Sequence, residues 1–247
     1  MGGVMRQSLV IAAKAMDSAQ QRMNYVANNL ANISTPGYKK DAAYSSSFID
    51  TVSRTINNLQ SPDVPNDVVQ VTDFSAGNFK FTGDKMNIAI EGDGFIKVAT
   101  PTGETAYTRK GILSLNANNQ LVIGDNLVLG EAGPIVLKTT DISIDSKGII
   151  YDSRGEQQVA IALASFTQPY PLEKVGSTLF LAKSGAQEIP AKATVHQQYL
   201  EESNVSSLGS MVEMLSMMEI MRSYESQQKI IQYQDESTAK MISQIAS

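Results

Sequence analysis

The segment from Leu9 to Ile33 constrains the fold more than any other part of the chain. Leu9, Ala12, Met16, Ala19, Met23, Val26, Leu30 and Ile33 recur at alternating steps of three and four. That spacing is the apolar seam of a helix built to pack along another helix. Large and small side chains alternate within it, as at Met16, Ala19 and Met23, so a neighbouring helix can come close. Ala13, Ala27 and Ala31 widen the smooth surface enough for more than one neighbour.

The helix is expected to stop abruptly. Pro36 disfavours helical geometry at Thr35, and Gly37 supplies the positive φ of a type II turn. Asn28, Asn29 and Asn32 are moderate helix formers placed close to that end. They read either as a fraying terminus or as amides bonding across a tightly packed helical interface.

A second seam closes the chain. From Val205 onward the pattern predicts a helix, with Leu208, Val212 and Leu215 in one stripe. A heptad set then runs Met217, Tyr224, Ile231, Thr238 and Ile245, flanked by Ile220, Met221, Met241 and Ile242. Gln227, Gln228, Gln234 and Asp235 interrupt its apolar face. Ser203 or Asn204 is placed to cap this helix, and Glu201 or Glu202 suits its positive end.

Between the helices the period changes to two. Val69 to Val71, Asn78 to Phe81, Met86 to Ile90 and Phe95 to Val98 alternate as half-buried strands do, with glycine turns between them. Strands are further expected at 105–108, 112–115, 121–123, 127–129, 135–137, 142–144, 149–151 and 159–166. Asn116 to Gln120 and Asp145 to Gly148 have hairpin chemistry. Short strands with frequent turns predict an antiparallel sandwich or open barrel. Pro62 and Pro65 mark a linker, and Gln168 to Pro171 with Gly176 to Gly185 are expected to lead the chain back.

The 247 residues suffice for a buried core. A net charge of -5 with no run of Lys or Arg disfavours attraction to nucleic acid or to an anionic membrane surface. No apolar run approaches the roughly 18 to 20 residues needed to cross a bilayer, and residues 1–14 lack a cleavable signal-peptide core. Zero cysteines remove disulfides and thiolate metal sites.

Catalytic constellations are sparse. His196 is the single histidine, and a surface role suits it better than a triad or metal site. Glu91 and Asp93 flank Gly92 and could form an acid-base pair, yet read more simply as solvated turn carboxylates. Residues 141–152 lack the ligand spacing of a calcium loop, and Gly92 and Gly94 precede a strand where a phosphate-binding loop needs a helix. Met211, Met214, Met217, Met218 and Met221 are striped at helical spacing, which suits adaptable packing better than cofactor ligation. No enzyme activity and no cofactor are expected.

Residues 27–39, Ala-Asn-Asn-Leu-Ala-Asn-Ile-Ser-Thr-Pro-Gly-Tyr-Lys, resemble the N-terminal signature of the rod and hook proteins of the bacterial flagellum, with Tyr38 where many members carry Phe. The resemblance continues at residues 90–98 around Gly-Asp-Gly-Phe, at Tyr107-Thr-Arg-Lys-Gly111 and at Asn118 to Val122. It ends at Tyr199-Leu-Glu-Glu-Ser-Asn-Val205, similar to the entry of the family's last helix. Gly130 to Ile135 resembles the proximal rod subunit more than the others, with the distal rod or hook subunit as the alternative within the family.

The resemblance implies an α+β, discontinuous architecture. N- and C-terminal helices would pair in a coiled-coil-like core domain, with a central antiparallel all-β domain outside it. The expected division is a first helix over 1–36, a connecting arm over 37–67, the β domain over 68–190, a return linker over 191–204 and the last helix over 205–247. It implies a rod subunit in a tube that crosses the periplasm, transmits torque and surrounds an export channel. Its partners would be copies of itself, other rod subunits, the flagellar export apparatus and hook-side or ring proteins, with export that needs no cleaved signal peptide. Phe48 and Val52 match a pattern attributed to export-gate recognition in this class.

The expected polymerisation surface comprises Leu9, Met16, Met23, Val26, Asn28, Asn29, Leu30, Asn32 and Ile33 on the first helix. On the last it comprises Leu208, Met211, Val212, Leu215, Met218, Tyr224, Ile231, Ile242 and Ile245. Thr35, Pro36, Gly37 and Tyr38 form the signature turn. Two other classes remain open: a secreted β-domain binding module, for instance for cell-wall glycan, on a coiled-coil stalk, and a peptidoglycan hydrolase using Glu91 or Asp93. Asymmetric exposure of aromatic rings on the β domain would favour the module.

Overall fold

In the computed structural model, residues 2–45, 68–152, 154–205 and 207–245 are described. Two helices bracket a succession of short strands, and the chain divides into two units.

The first unit holds helix α1 (Gly2–Ala31), the strands Asp41–Ser45 and Val68–Thr72, and helix α2 (Ser207–Ile245). α1 touches α2 and both strands. Its alanines favour the helix, and its seam orients it: Ala19 and Val26 are buried, while Met16, Met23 and Leu30 are half-buried. The two strands pair antiparallel, with Asp41 opposite Thr72 and Tyr44 opposite Val69.

The second unit holds Asn32–Lys40 and every strand after the first two. Its largest sheet has ten strands. The path runs Leu172–Val175, Leu179–Ala182, Thr105–Thr108, Phe95–Ala99, Asn126–Gly130, Leu121–Ile123 and Ser114–Leu115, and every pairing along it is antiparallel. A three-stranded sheet and two strand pairs complete the unit, the pairs being Lys192–Gln197 with Ile88–Asp93 and Tyr199–Glu201 with Phe79–Phe81. One core is aliphatic, centred on Ile88, Ile90, Ile96, Val98, Leu121 and Ile150. The other is aromatic, where Phe95, Tyr107, Phe166 and Phe180 pack with Phe74 and Tyr170. Both expected hairpins form, with Asn116 N–H donating to the Gln120 carbonyl and Asp145 N–H to that of Ile149, each 3.0 Å long.

The structure departs from the sequence expectation chiefly at the ends of the β domain. The helix expected over 1–36 ends at Ala31, and the following residues belong to the second unit. Strand Val68–Thr72, expected to open the β domain, pairs instead with the start of the expected arm. Residues 176–182, expected on the return path, form with 172–175 a hairpin at the edge of the ten-stranded sheet, because Leu172 and Phe180 are needed in the aromatic core. The return linker over 191–204 is mostly strand, because the exposed backbones of Ile88–Asp93 and Phe79–Phe81 need hydrogen-bonding partners.

Candidate functional site

Among the described residues, the signature turn gathers several buried polar and charged groups. Gly37 has φ +72°, which the type II turn reading anticipated, and its N–H donates to the Glu201 carbonyl at 2.8 Å. A β-carbon on Gly37 would stand 2.4 Å from the Lys110 nitrogen, so glycine is required twice, by conformation and by space. Tyr38 is buried, and the Lys174 ammonium sits 3.9 Å from its ring centroid, a cation–π contact. Lys174 also donates to the Lys39 carbonyl at 2.6 Å.

Below the turn, three charges meet out of water. The Lys39 ammonium donates to Glu201 Oε1 at 2.5 Å and to the Ser75 carbonyl at 2.7 Å. Arg109 donates through Nη1 to Glu201 Oε2 at 3.3 Å and to the Ile90 carbonyl at 2.9 Å, and through Nη2 to the Gly92 carbonyl at 2.6 Å. Its guanidinium lies 5.1 Å from the Phe95 ring centroid. The Gly77 N–H supplies Glu201 Oε1 with another donor at 3.0 Å. Desolvating such charges is expensive, and the multiple hydrogen bonds offset that cost.

Lys39, Arg109 and Glu201 come from three separate motifs singled out in the sequence, and Gly92 from a fourth. The sequence reading gave Lys39 and Arg109 no role and assigned Glu201 to the helix terminus. Folding gives Glu201 to the turn instead, because it ends a strand paired with Phe79–Phe81. A shared signal was present: each motif carries a charge beside residues of strand or turn character, and opposite charges in buried motifs must find one another.

Asn29 and Asn32 bond within the chain. Asn29 is buried and clamps one backbone residue, donating through Nδ2 to the Asp41 carbonyl at 2.8 Å and accepting the Asp41 N–H at Oδ1 over 2.9 Å. Its amide thus bonds the returning strand. Asn32 accepts from the Thr35 hydroxyl at 3.2 Å, which tightens the turn, while Asn28 is exposed. Asn204, read as a helix cap, spends its Oδ1 on the Lys40 N–H at 2.7 Å, and Ser203 Oγ accepts the Val205 N–H at 3.2 Å.

The expected assembly residues of α2 divide into two sets. Tyr224 and Ile231 are half-buried together with Met217, Ile220 and Gln227, a three-four stripe. Met211, Val212, Leu215 and Met218 are exposed, as are Met214 and Met221. On α1, Met16, Met23 and Leu30 are half-buried, and so is Ile33 just beyond its end. The side chains of Leu9, Leu208, Ile242 and Ile245, and Phe48 and Val52 entirely, lie outside the described residues.

The candidate catalytic groups are engaged elsewhere. His196 Nε2 meets Glu91 Oε2 at 2.7 Å on the surface, and the Tyr170 hydroxyl donates to Asp93 at 2.9 Å. Glu91 and Asp93 therefore face different partners and do not form a pair. Among the described residues no group of His, Cys, Asp or Glu could hold a metal ion. Tyr107 donates to Glu188, and burial together with that carboxylate pushes its phenol well up. Burial alone would raise Glu188, but hydrogen bonds from Lys97 and Tyr107 hold it below the usual range. Exposed rings do gather on one patch, with Phe81 and Tyr199 at 5.2 Å and His196 at 6.3 Å from Tyr199.

Comparison with known proteins covers both ends and the middle of the chain. Residues 9–39 match the model for the flagella basal body rod protein. Residues 89–152 match the flagellar hook protein FlgE/F/G D1 domain, and residues 196–245 the flagellar basal body rod FlgEFG protein C-terminal region. The chain is 31% identical over 257 residues to the flagellar basal-body rod protein FlgG of Caulobacter vibrioides, covering 93% of this chain and 96% of that one. It is 31% identical to FlgG of Borreliella burgdorferi, covering 94% and 96%, and 26% identical to the rod protein FlgF of Escherichia coli, covering 92% and 94%.

Proposed function

Because the chain belongs to the flagellar basal-body rod protein family and is a structural subunit of that rod, we propose that it polymerises through its terminal helices into a tubular drive shaft. α1 and α2 pair as an antiparallel, coiled-coil-like core that lines the tube. The tube transmits torque across the periplasm and surrounds the export channel.

The observation that carries this reading is the exposed apolar face of α2, made by Met211, Val212, Leu215 and Met218. Fully burying one such side chain contributes about 1.5 to 3 kcal/mol. Four therefore contribute at most about 6 to 12 kcal/mol, against an association cost of about 4 to 15 kcal/mol in lost rotation and translation. The two ranges overlap, so one neighbour leaves little surplus by this face, and several neighbours in a lattice enlarge it.

The partners are copies of the chain and other rod subunits, with the flagellar export apparatus, hook-side proteins and surrounding ring proteins as further contacts. Export proceeds without a cleaved signal peptide, with Phe48 and Val52 as recognition residues. No described helix is long and apolar enough to cross a membrane. The stalked binding module has the exposed aromatic patch in its favour, yet the similarity to rod proteins extends through both termini, and the rod is the better reading.

Hydrogen exchange tests the proposal on the free chain and on the chain within isolated basal bodies. Protection that appears over α1 and α2 only in basal bodies supports folding coupled to assembly. Helices no better protected in basal bodies than in the free chain would have gained no cover on assembly, which would overturn the proposal.

A further inference from the structure

Four methionines stand on one exposed face of α2. Met211 is 65% exposed, Met214 and Met218 are each 48%, and Met221 is 46%. Their spacing of three, four and three residues keeps all four thioethers on a single stripe. The chain also carries its own internal standard, because Met86 is 9% exposed in the aliphatic core.

We propose that this stripe is a site of methionine sulfoxide formation in the free subunit, which assembly closes. The co-reactant is a hydroperoxide, of which hydrogen peroxide is the simplest. The thioether sulfur attacks the peroxide oxygen and the O–O bond breaks. One oxygen remains on sulfur as the sulfoxide, and the other leaves as water after proton transfer. Sulfur is oxidised by two electrons, and the peroxide is reduced by two. Access decides the rate, so the exposed stripe reacts ahead of the core.

The consequence follows from polarity. A thioether is soft and apolar and adapts to irregular packing, whereas a sulfoxide is polar and carries a strong hydrogen-bond acceptor. Four sulfoxides on one helix face place unpaired acceptors where the face should be dry. Oxidation of the free subunit therefore removes its competence to pack, while a subunit already in the polymer is shielded. The shielding rests on the reading of the α2 face as an assembly surface, whereas the exposure of the stripe in the free chain does not.

The test treats the full-length free chain and isolated basal bodies with hydrogen peroxide and follows the added oxygen at each methionine by peptide mass spectrometry. In the free chain the four residues are expected to oxidise at least about tenfold faster than Met86, and in basal bodies to slow by a similar factor. Rates equal to that of Met86 in the free chain would overturn the site. Fast oxidation in both preparations would overturn the shielding. Assembly of the Met218→Asp variant separates the two failures. If that variant fails to assemble while the stripe still oxidises in basal bodies, the inference falls alone. If it assembles normally, the reading of the α2 face falls with it.

Discussion

The Lys39 ammonium and the Glu201 carboxylate lie 162 residues apart in sequence and meet at 2.5 Å with both side chains fully buried. Removing one partner of such a pair strands the other charge in a poor solvent. Glu201→Gln leaves Lys39 and Arg109 without a carboxylate, whereas Lys39→Met leaves Glu201 the Arg109 and Gly77 donors. Glu201→Gln is expected to destabilise the β unit by about 3 to 5 kcal/mol, and Lys39→Met by less. Urea unfolding followed by circular dichroism checks this, and the reverse order would show that Lys39 dominates the cluster.

Gly37 supports the same region through its backbone. Gly37→Val meets the Lys110 nitrogen and the Arg109 carbonyl at under 3 Å, on top of the unfavourable positive φ. The variant is expected to lose stability and to fail in rod assembly, scored by thermal unfolding and by electron microscopy of basal bodies. A normal rod would show that the turn can relax.

The Asn29 clamp predicts a local effect. Asn29→Leu leaves the Asp41 N–H and carbonyl without the amide that satisfies both, at about 1 to 3 kcal/mol for each buried group left unpaired. Exchange at the Asp41 amide should accelerate in the variant. An unchanged rate would mean that water or another group replaces the side chain without loss.

The α2 face separates assembly from stability. Met218→Asp places a charge on an exposed position, so the free chain should unfold at the wild-type midpoint while rod assembly is lost. Val26→Asp, at a buried position on α1, should impair both. Normal assembly of Met218→Asp would remove this face from the interface.

Tyr107 and Glu188 are expected to make the stability of the β unit depend on pH at both ends. The phenol is raised above its ordinary value of 10.0, so its contribution is complete below pH 10.0 and is lost as pH climbs toward the folded value. Glu188 is lowered from its ordinary 4.5, so its contribution is present above that pH and disappears as pH falls through the folded value. Tyr107→Phe should flatten the alkaline limb of stability against pH, and Lys97→Met should flatten the acid limb. Unchanged limbs would relieve this cluster of the role.

Elements with a strong local period were legible in the sequence. The three-four seam gave α1, α2, the buried Val26 and the half-buried Met23, Tyr224 and Ile231, because periodicity expresses which face must leave water. The Asn116 and Asp145 hairpins were equally clear, since turn chemistry is local. Strand Val68–Thr72 looked like any other alternating strand, and its partner at Asp41–Ser45 lay in a segment read as an arm. The Leu172–Val175 and Leu179–Ala182 hairpin was missed because glycines and a nearby proline pair drew it into the loop reading.

The sequence by itself determined the helical ends, the β character of the middle and the family signature, all of which follow from spacing and residue type along a short stretch. Only the tertiary structure decided why that signature exists in this chain. Gly37 is fixed by the approach of Lys110, Lys39 by Glu201 and Glu201 by Arg109, and these meetings join residues far apart along the chain. Pairing across such distances depends on strand register, and a one-residue slip turns every side chain to the opposite face. Local pattern names the charges, and the fold chooses their partners.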